Sequence, residues 1–264
     1  MTTLDSAEDF RIGRVVSRLF NVLSANFGTF LALTALLTIP TLLHSVYTAL
    51  NPASTGMAGT GGFQPGGGLI FLRYMTIGLL IYFIFGYTLQ AALIKGTIVY
   101  LNGDRPTFGE CLSTGVKAFL PILAIGVLSF MGMTLGFMLV IIPGIILLLM
   151  WSVVIPVRII EQTGIGASFG RSRALTKGHR GKIFLLGLMF FVLVVIIGLV
   201  TRPLMGVSAV APKPGELNVP YVLVAWAENV LITSIMTLGV ASIYYELRLV
   251  KEGIGAQQMA AAFD

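Results

Sequence analysis

The sequence predicts an all-α integral membrane protein with six transmembrane helices, and its composition and charge distribution support this fold class. Hydrophobic residues make up 56% of the 264 residues and charged residues only 11%, whereas soluble domains carry about 25% charged residues. The charges are also unevenly placed. Residues 118–157 contain no Asp, Glu, Lys or Arg, and neither do residues 183–201. Uncharged runs of this length are typical of membrane spans.

The long uncharged run 118–157 is too long for one span. As a single helix it would reach about 60 Å at 1.5 Å per residue, twice the thickness of a hydrocarbon core of about 30 Å. Ile142-Pro143-Gly144 near its middle therefore predicts two spans joined by a tight hairpin. The Gly-rich stretch 51–68 predicts an extramembrane loop. The six predicted spans are about 27–49, 74–94, 119–141, 143–160, 183–201 and 221–245.

The distribution of Lys and Arg predicts the orientation. With six spans, 14 of the 17 basic residues lie on the side of the termini, and Arg73, Arg202 and Lys213 lie on the other. Cytoplasmic loops carry the excess of basic residues. We therefore expect a bacterial inner-membrane protein with both termini in the cytoplasm. This topology accounts for the net charge of +6, so we expect membrane lipids and no nucleic acid as partners.

Similar segments follow the fourth and sixth predicted spans, and a looser version follows the second. Gly164-Ile165-Gly166-Ala167 and Gly253-Ile254-Gly255-Ala256 both place a glycine just past the last apolar turn, where it can cap a helix. This pattern predicts three helical hairpins, each preceded by a short cytoplasmic interfacial helix. The alternative is that the pattern is only common capping chemistry. The short helices are expected at 10–24, 107–118 and 168–177, with a further one at 256–263.

The first of these helices is predicted to be amphipathic. Arg11, Arg14 and Arg18 are spaced to share one face of a helix. Apolar residues occupy the opposite face, namely Ile12, Val16, Leu19 and Leu23. We expect the segment to lie on the membrane surface, unless it is simply the cytoplasmic start of the first span.

Several motifs give the chain a resemblance to a known family. They are Phe10-Arg11-Ile12-Gly13-Arg14, Pro143-Gly144, Arg158, Glu161, Arg171-Ser172, Leu175-Thr176-Lys177-Gly178 and Tyr244-Tyr245-Glu246-Leu247-Arg248. With these motifs the sequence resembles the membrane domain associated with bacterial glycerophosphoryl diester phosphodiesterases and related six-span inner-membrane proteins. In the phosphodiesterases the activity belongs to a separate soluble barrel, which the 264 residues do not contain. The resemblance therefore implies a multi-span membrane module without phosphodiesterase activity.

Two ionisable residues are predicted to lie within spans. His44 in the first span and Glu228 in the sixth are expected at similar depth below the outer boundary. An intramembrane ionisable residue is costly to desolvate and is a candidate functional residue. If the first and last spans are neighbours, the two side chains can form a proton-sensitive polar pair. Otherwise Glu228 extends to the interface or bonds Asn229 and the backbone.

The basic residues near the fourth and fifth spans are candidates for contacts with lipid headgroups. They are Arg171, Arg173, Lys177, Arg180 and Lys182. Basic residues near a membrane surface attract anionic headgroups by about 1 kcal/mol each, although the same charges also fix the topology. Arg158 and Glu161, three residues apart, are predicted to form an ion pair.

The sequence contains no metal-ligand spacing, phosphate-binding loop or nucleophile elbow, so we expect no metal, cofactor or catalytic residue. We predict a non-enzymatic structural or lipid-interacting module in membrane or envelope homeostasis. The first alternative is a transporter or lipid-translocating protein with a polar site between spans one and six. An intramembrane hydrolase is a third possibility.

The predicted topology can be tested by cysteine labelling of intact cells. In a Cys111→Ala background, Ser54→Cys should react with a membrane-impermeant maleimide, and Lys177→Cys should react only after permeabilisation. The opposite pattern would reverse the predicted orientation.

Overall fold

The computed structural model describes residues 9–56, 64–204 and 219–253, and in these ranges the chain is helical with no strand. The helices are α1 (Ile12–Ala25), α2 (Phe27–Leu50), α3 (Gly67–Ile81), α4 (Tyr87–Leu101), α5 (Phe108–Leu139), α6 (Ile141–Met150), α7 (Val154–Glu161), α8 (Ile165–Thr176), α9 (Arg180–Leu204) and α10 (Val219–Glu252). A 3-10 turn follows α2 at Pro52–Thr55, and a π-helical turn joins α3 to α4 at Tyr82–Gly86.

Six stretches of helix are long and apolar enough to cross a membrane, as the sequence predicts. They are Phe27–Leu50, Gly67–Leu101, Phe108–Leu139, Ile141–Glu161, Arg180–Thr201 and Val219–Glu252. Each overlaps the corresponding predicted span. The second is continuous through α3 and α4 and begins seven residues before the predicted Tyr74 because the helix extends into the Gly-rich segment. These lengths are those of a multi-pass membrane protein.

Helices α4 and α10 form the centre of the bundle. Buried residues run along α4 from Thr88 to Ile98, and those of α10 lie mainly in its second half. Helix α10 contacts α1, α2, α4, α7, α8 and α9. The first and last spans, α2 and α10, are therefore neighbours. Two hydrogen bonds join them: Trp226 Nε1 donates to Thr38 Oγ1 at 3.0 Å, and the hydroxyls of Thr34 and Ser234 lie 3.0 Å apart.

The uncharged run forms two helices, α5 and α6, and the break between them lies slightly ahead of Ile142-Pro143-Gly144. One extended residue, Val140, separates α5 from α6. Pro143 occupies the first turn of α6, where a missing N–H breaks no helical hydrogen bond. The two helices approach closely at glycines, since a Cβ added to Gly136 would lie 3.2 Å from Gly144 Cα.

The predicted short helices before each hairpin are only partly present. Helices α1 and α8 are separate from α2 and α9, whereas 107–118 does not form a helix of its own. It enters α5, which Thr107 caps by accepting the Glu110 N–H at 3.3 Å and which continues without a break to Leu139. The uniform three-unit repeat is therefore not confirmed. The helix expected at 256–263 lies outside the described residues.

The predicted glycine caps are found at two of the three exits. Gly103 after α4 has φ +96° and Gly253 after α10 has φ +64°, the left-handed conformation that glycine adopts at low cost. After α7 the left-handed residue is instead Gln162, with φ +50°, and Gly164 has φ −59°. The helix ends at Glu161, three residues before the expected glycine, so Gly164 and Gly253 do not occupy the same structural position.

The contact between α4 and α5 provides a test of the packing. A Cβ at Gly115 would lie 2.4 Å from the Thr88 carbonyl oxygen, which is backbone and cannot rotate away. We therefore expect Gly115→Ala to lower the free energy of unfolding in mixed micelles by about 1–3 kcal/mol, the usual cost of overpacking.

Gly187→Ala is the matched control, since a Cβ there meets nothing within 4 Å. It should leave stability unchanged or slightly higher, because alanine favours helix. Equal stability of the two variants would contradict the close packing of α4 on α5.

Candidate functional site

The ionic side chains of the described residues concentrate at one end of the bundle. We call this the charged end. It contains α1, α7, α8 and the C-terminal turns of α10, and the opposite end is called the far end. Contacts between residue 14 and residue 246 place both described ends of the chain here. An even number of spans requires this arrangement.

Glu246 is the centre of the first cluster at the charged end. Its side chain is fully buried, with 0% of its surface exposed. The carboxylate accepts hydrogen bonds from Arg14 Nε at 2.9 Å and from the Arg11 backbone N–H at 3.1 Å, and it also pairs with the Arg18 guanidinium. Arg14 Nη2 lies 2.7 Å from the same oxygen. Several charge-assisted bonds offset the desolvation of this carboxylate, and they bind α1 to α10.

The arginines of α1 therefore face the protein. Arg14 and Arg18, four residues apart, both reach Glu246, while Val15, Leu19 and Val22 are buried in the core. The helix is amphipathic, as predicted. However, both of its arginines bind a carboxylate of the same chain instead of facing outward. The sequence pattern could not show this because the partner lies more than 220 residues away.

A second cluster joins α7, α8 and α10. Glu161 pairs with Arg171 Nε at 2.8 Å and accepts a hydrogen bond from the Tyr244 hydroxyl at 3.0 Å. Arg171 also pairs with Glu252, and Arg248 Nε lies 2.9 Å from Glu252 and 3.9 Å from Glu161. The carboxylates of Glu161 and Glu252 thus alternate with the guanidinium groups of Arg171 and Arg248. Each charged group lies near an opposite charge on another helix.

The predicted ion pair between Arg158 and Glu161 is wrong. Glu161 turns toward α8 and α10, where Arg171 and Arg248 offer two cations instead of one. Arg158 forms no ion pair among the described residues, and its Nε is buried without a hydrogen-bond partner. A pair three residues apart on one helix stabilises by only about 0.2–0.5 kcal/mol, so tertiary partners readily replace it.

The five predicted headgroup residues fall into two groups. Arg171 and Lys182 are engaged within the protein: Lys182 Nζ lies 2.5 Å from Asp9 and donates to the Phe10 carbonyl at 3.0 Å. Arg180 is half-buried. Arg173 and Lys177 are exposed, four residues apart, and remain available to a ligand outside the protein.

The segment around Lys182 also perturbs two titratable groups. The hydrogen bond from the Lys182 ammonium lowers the pKa of Asp9. Partial burial, with the charge of Lys251 next in effect, lowers the pKa of His179, whose ring stacks on Phe10 with 5.7 Å between centroids. His179 is thus packed against the N-terminal segment.

His44 and Glu228 do not form the predicted pair. The His44 ring stacks on Tyr74 of α3, with 5.3 Å between ring centroids. Glu228 instead faces α9, where its Oε1 lies 3.0 Å from the position of a Cβ at Gly198. The contacts of Thr38 with Trp226 and of Thr34 with Ser234 show how α2 and α10 are aligned. By this alignment His44 lies four to eight residues away from the level of Glu228, or about 6–12 Å along the bundle at 1.5 Å per residue. The helices are neighbours as required, but the side chains point to different partners.

Chemically, the two clusters at the charged end act as fixed cross-links between helices. Their carboxylates already accept bonds from guanidinium groups and a tyrosine. Among the described residues, no group of three or more His, Cys, Asp and Glu could hold a metal ion. Two features of the sequence could have pointed to Glu246. It is a lone carboxylate directly after an apolar run, and three arginines lie near the N-terminus. Nothing in the sequence paired them.

Comparison with known proteins gives no relative for this chain. No family model, curated protein or solved structure matches it. The resemblance to the membrane domain of glycerophosphoryl diester phosphodiesterases therefore stays a prediction from sequence motifs.

Glu246 provides the test of this site. Glu246→Gln keeps the shape of the side chain but removes the negative charge that Arg14 and Arg18 bind. Breaking a buried ion pair costs about 3–5 kcal/mol. The two arginine side chains are 23% and 22% exposed, so we expect a loss near the lower limit in mixed-micelle unfolding.

Glu252→Gln is the control, because Glu252 is 24% exposed and its ion pairs are more accessible to water. Its effect should be clearly smaller. If Glu246→Gln costs no more than Glu252→Gln, the Glu246 cluster does not have the structural role assigned to it.

Proposed function

We propose that this chain is a non-enzymatic integral membrane module that binds anionic lipid headgroups at its charged end and acts in membrane or envelope homeostasis. The observation that carries the proposal is the division of the basic residues into internal and external groups. The arginines at 14, 18, 171 and 248 bind carboxylates of the chain itself. Arg173 and Lys177 remain exposed on one side of α8.

The spacing of Arg173 and Lys177 suits a headgroup ligand. Residues four apart on a helix are neighbours on its surface, with Cβ atoms about 5–6 Å apart. Lys177 directly follows the last residue of α8, so the two cations can approach one phosphate together. Each basic residue near an anionic surface contributes about 1 kcal/mol.

The state of the carboxylates supports a non-enzymatic role. A general acid or base must reach the proton that it transfers and must be able to change protonation during the reaction. Glu161, Glu246 and Glu252 are each held by at least two cationic or hydroxyl groups of the chain. Such carboxylates position helices, and protonating one of them would disrupt the contacts that hold the charged end together.

The proposal places the charged end in the cytoplasm of a bacterial inner membrane. Cytoplasmic segments carry an excess of Lys and Arg, and the cytoplasmic leaflet is rich in anionic lipids that attract such residues. Exposed cations at this end then lie at the height of the headgroups.

The transporter alternative loses the site on which it was based, because His44 and Glu228 face α3 and α9. The hydroxyls that do meet between α2 and α10 are bound within their own helices. Thr34 Oγ1 lies 2.8 Å from the Phe30 carbonyl oxygen, and Ser234 Oγ lies 2.8 Å from the Val230 carbonyl oxygen. One hydroxyl donates within its own helix and accepts from the other across the contact. They form a packed contact between two helices.

Lipid binding can be measured in nanodiscs that contain phosphatidylglycerol in a phosphatidylcholine background. Replacing Arg173 and Lys177 together with Gln should weaken retention of the anionic lipid about 30-fold, since two contacts of about 1 kcal/mol each are lost. Mass spectrometry of the lipid retained after partial delipidation provides the readout.

Arg73→Gln, which removes an exposed arginine of α3, is the control and should retain the lipid. The double variant should unfold like the parent chain, because neither side chain forms an ion pair among the described residues. Unchanged retention in the double variant, or an equal loss in Arg73→Gln, would contradict headgroup binding at α8.

A further inference from the structure

A small cavity lies at the charged end, between α4, α7 and α10. Its volume of about 90 Å³ leaves room for several water molecules, since one water needs about 10–15 Å³. Ile98 and Ile160 contribute apolar walls, and the polar walls are formed by Asn102, Tyr244, Tyr245 and Arg248. Asn102 is exposed and the Arg248 side chain is 29% exposed, so a ligand can reach these two residues from outside.

Arg248 has hydrogen-bond donors that the described protein does not use. Its Nε donates to Glu252 at 2.9 Å and lies 3.9 Å from Glu161. A guanidinium group carries five N–H donors in a planar fork. The two Nη groups of Arg248 donate no hydrogen bond to any of the described residues. Such a group suits a carboxylate or a phosphate, which can accept two parallel hydrogen bonds.

The other polar side chains of the cavity add one donor group and two acceptors. The side-chain amide of Asn102 has no hydrogen-bond partner within the described ranges. The tyrosine hydroxyls donate away from the cavity, Tyr244 to Glu161 at 3.0 Å and Tyr245 to the Leu101 carbonyl at 3.0 Å. Their oxygen lone pairs remain free to accept a hydrogen bond. Because the donors come from two helices, they favour a phosphate, whose oxygens point in several directions, over a planar carboxylate.

The charges around the cavity also favour an anion. The two clusters at the charged end contain four guanidinium groups, at residues 14, 18, 171 and 248, and three carboxylates, at residues 161, 246 and 252. One positive charge is therefore in excess. The Arg18 guanidinium lies 5.1 Å from the centroid of the Tyr245 ring, so part of this excess lies next to a wall of the cavity. Partial burial strengthens its attraction for an anion, because water screens it less.

We propose that this cavity binds the phosphate group of a lipid headgroup or of a soluble phosphate ester. The Nη groups of Arg248 and the Asn102 amide donate to the phosphate oxygens, and a bound phosphate links the end of α4 to α10. The cavity shares no residue with the exposed pair of Arg173 and Lys177. The proposal therefore goes beyond headgroup binding at α8, and either one can fail without the other.

Two probes test the proposal with the full chain in nanodiscs. Arg173→Gln and Lys177→Gln are present throughout, so that binding at α8 does not contribute. The first probe is inorganic phosphate, added to nanodiscs of phosphatidylcholine alone at constant ionic strength. Saturable broadening of its phosphorus resonance gives a dissociation constant. The second probe is phosphatidylglycerol in a phosphatidylcholine background, and mass spectrometry measures the lipid retained after partial delipidation.

Asn102→Asp places a negative charge at the wall of the cavity and leaves the ion pairs intact. It should weaken binding of the probe that occupies the cavity by about tenfold or more, because like charges a few ångströms apart repel. Arg248→Gln removes the guanidinium fork and should weaken the same probe by a similar factor. The control is Asn21→Asp, which makes the same charge change at an exposed residue of α1 outside the cavity. Its effect should stay within about twofold, since water and salt screen an exposed charge.

The two probes distinguish the sources of the phosphate. Weakened phosphate binding with unchanged lipid retention supports a soluble phosphate ester, and weakened lipid retention supports a headgroup. The proposal is overturned if neither probe binds the parent chain, if binding survives both Asn102→Asp and Arg248→Gln, or if Asn21→Asp has the same effect as Asn102→Asp. Each variant must first give the helical circular dichroism and elution volume of the parent. Asn102→Asp meets this condition most easily, because Asn102 is exposed.

Discussion

Glu246 places a carboxylate in the core at the charged end of α10, and such a group is tolerated only where cations and N–H donors surround it. In this chain those donors come from the backbone of Arg11 and the side chains of Arg14 and Arg18. These bonds to one buried carboxylate thus hold α1 against α10, the last helix. They also bring both described ends of the chain to one end of the bundle.

The same helix organises the rest of the charged end. In the last turns of α10, Tyr244 and Arg248 contact Glu161 of α7. Glu252 pairs with Arg171 of α8, which also pairs with Glu161. Specific ionic contacts therefore lie at one end of the bundle, and apolar packing dominates between α5 and α6. This asymmetry has a physical origin, because charge is tolerated near water, whereas a hairpin in hydrocarbon must be apolar and must satisfy its own backbone. Headgroup binding is the proposal for the charged end of this asymmetric bundle.

The sequence predicted the six apolar helices and the tight hairpin, since uncharged runs and their lengths depend on the chain alone. It did not predict the ion pairs. Local spacing favoured Arg158 for Glu161, but α8 and α10 supply two arginines from distant positions. Equal depth favoured a pair of His44 and Glu228. Depth along a helix does not determine which neighbour a side chain faces, and these two face α3 and α9.

Hydrogen exchange measured by mass spectrometry tests the central claim, that Glu246 holds α1 to the bundle. Glu246→Ala in mixed micelles should increase amide exchange throughout Ile12–Ala25 while the central segments of α4 and α10 stay protected, because the apolar core remains. Unchanged protection of α1 in this variant would show that the apolar face of α1 alone holds it in place, and it would contradict the role of Glu246 at the charged end.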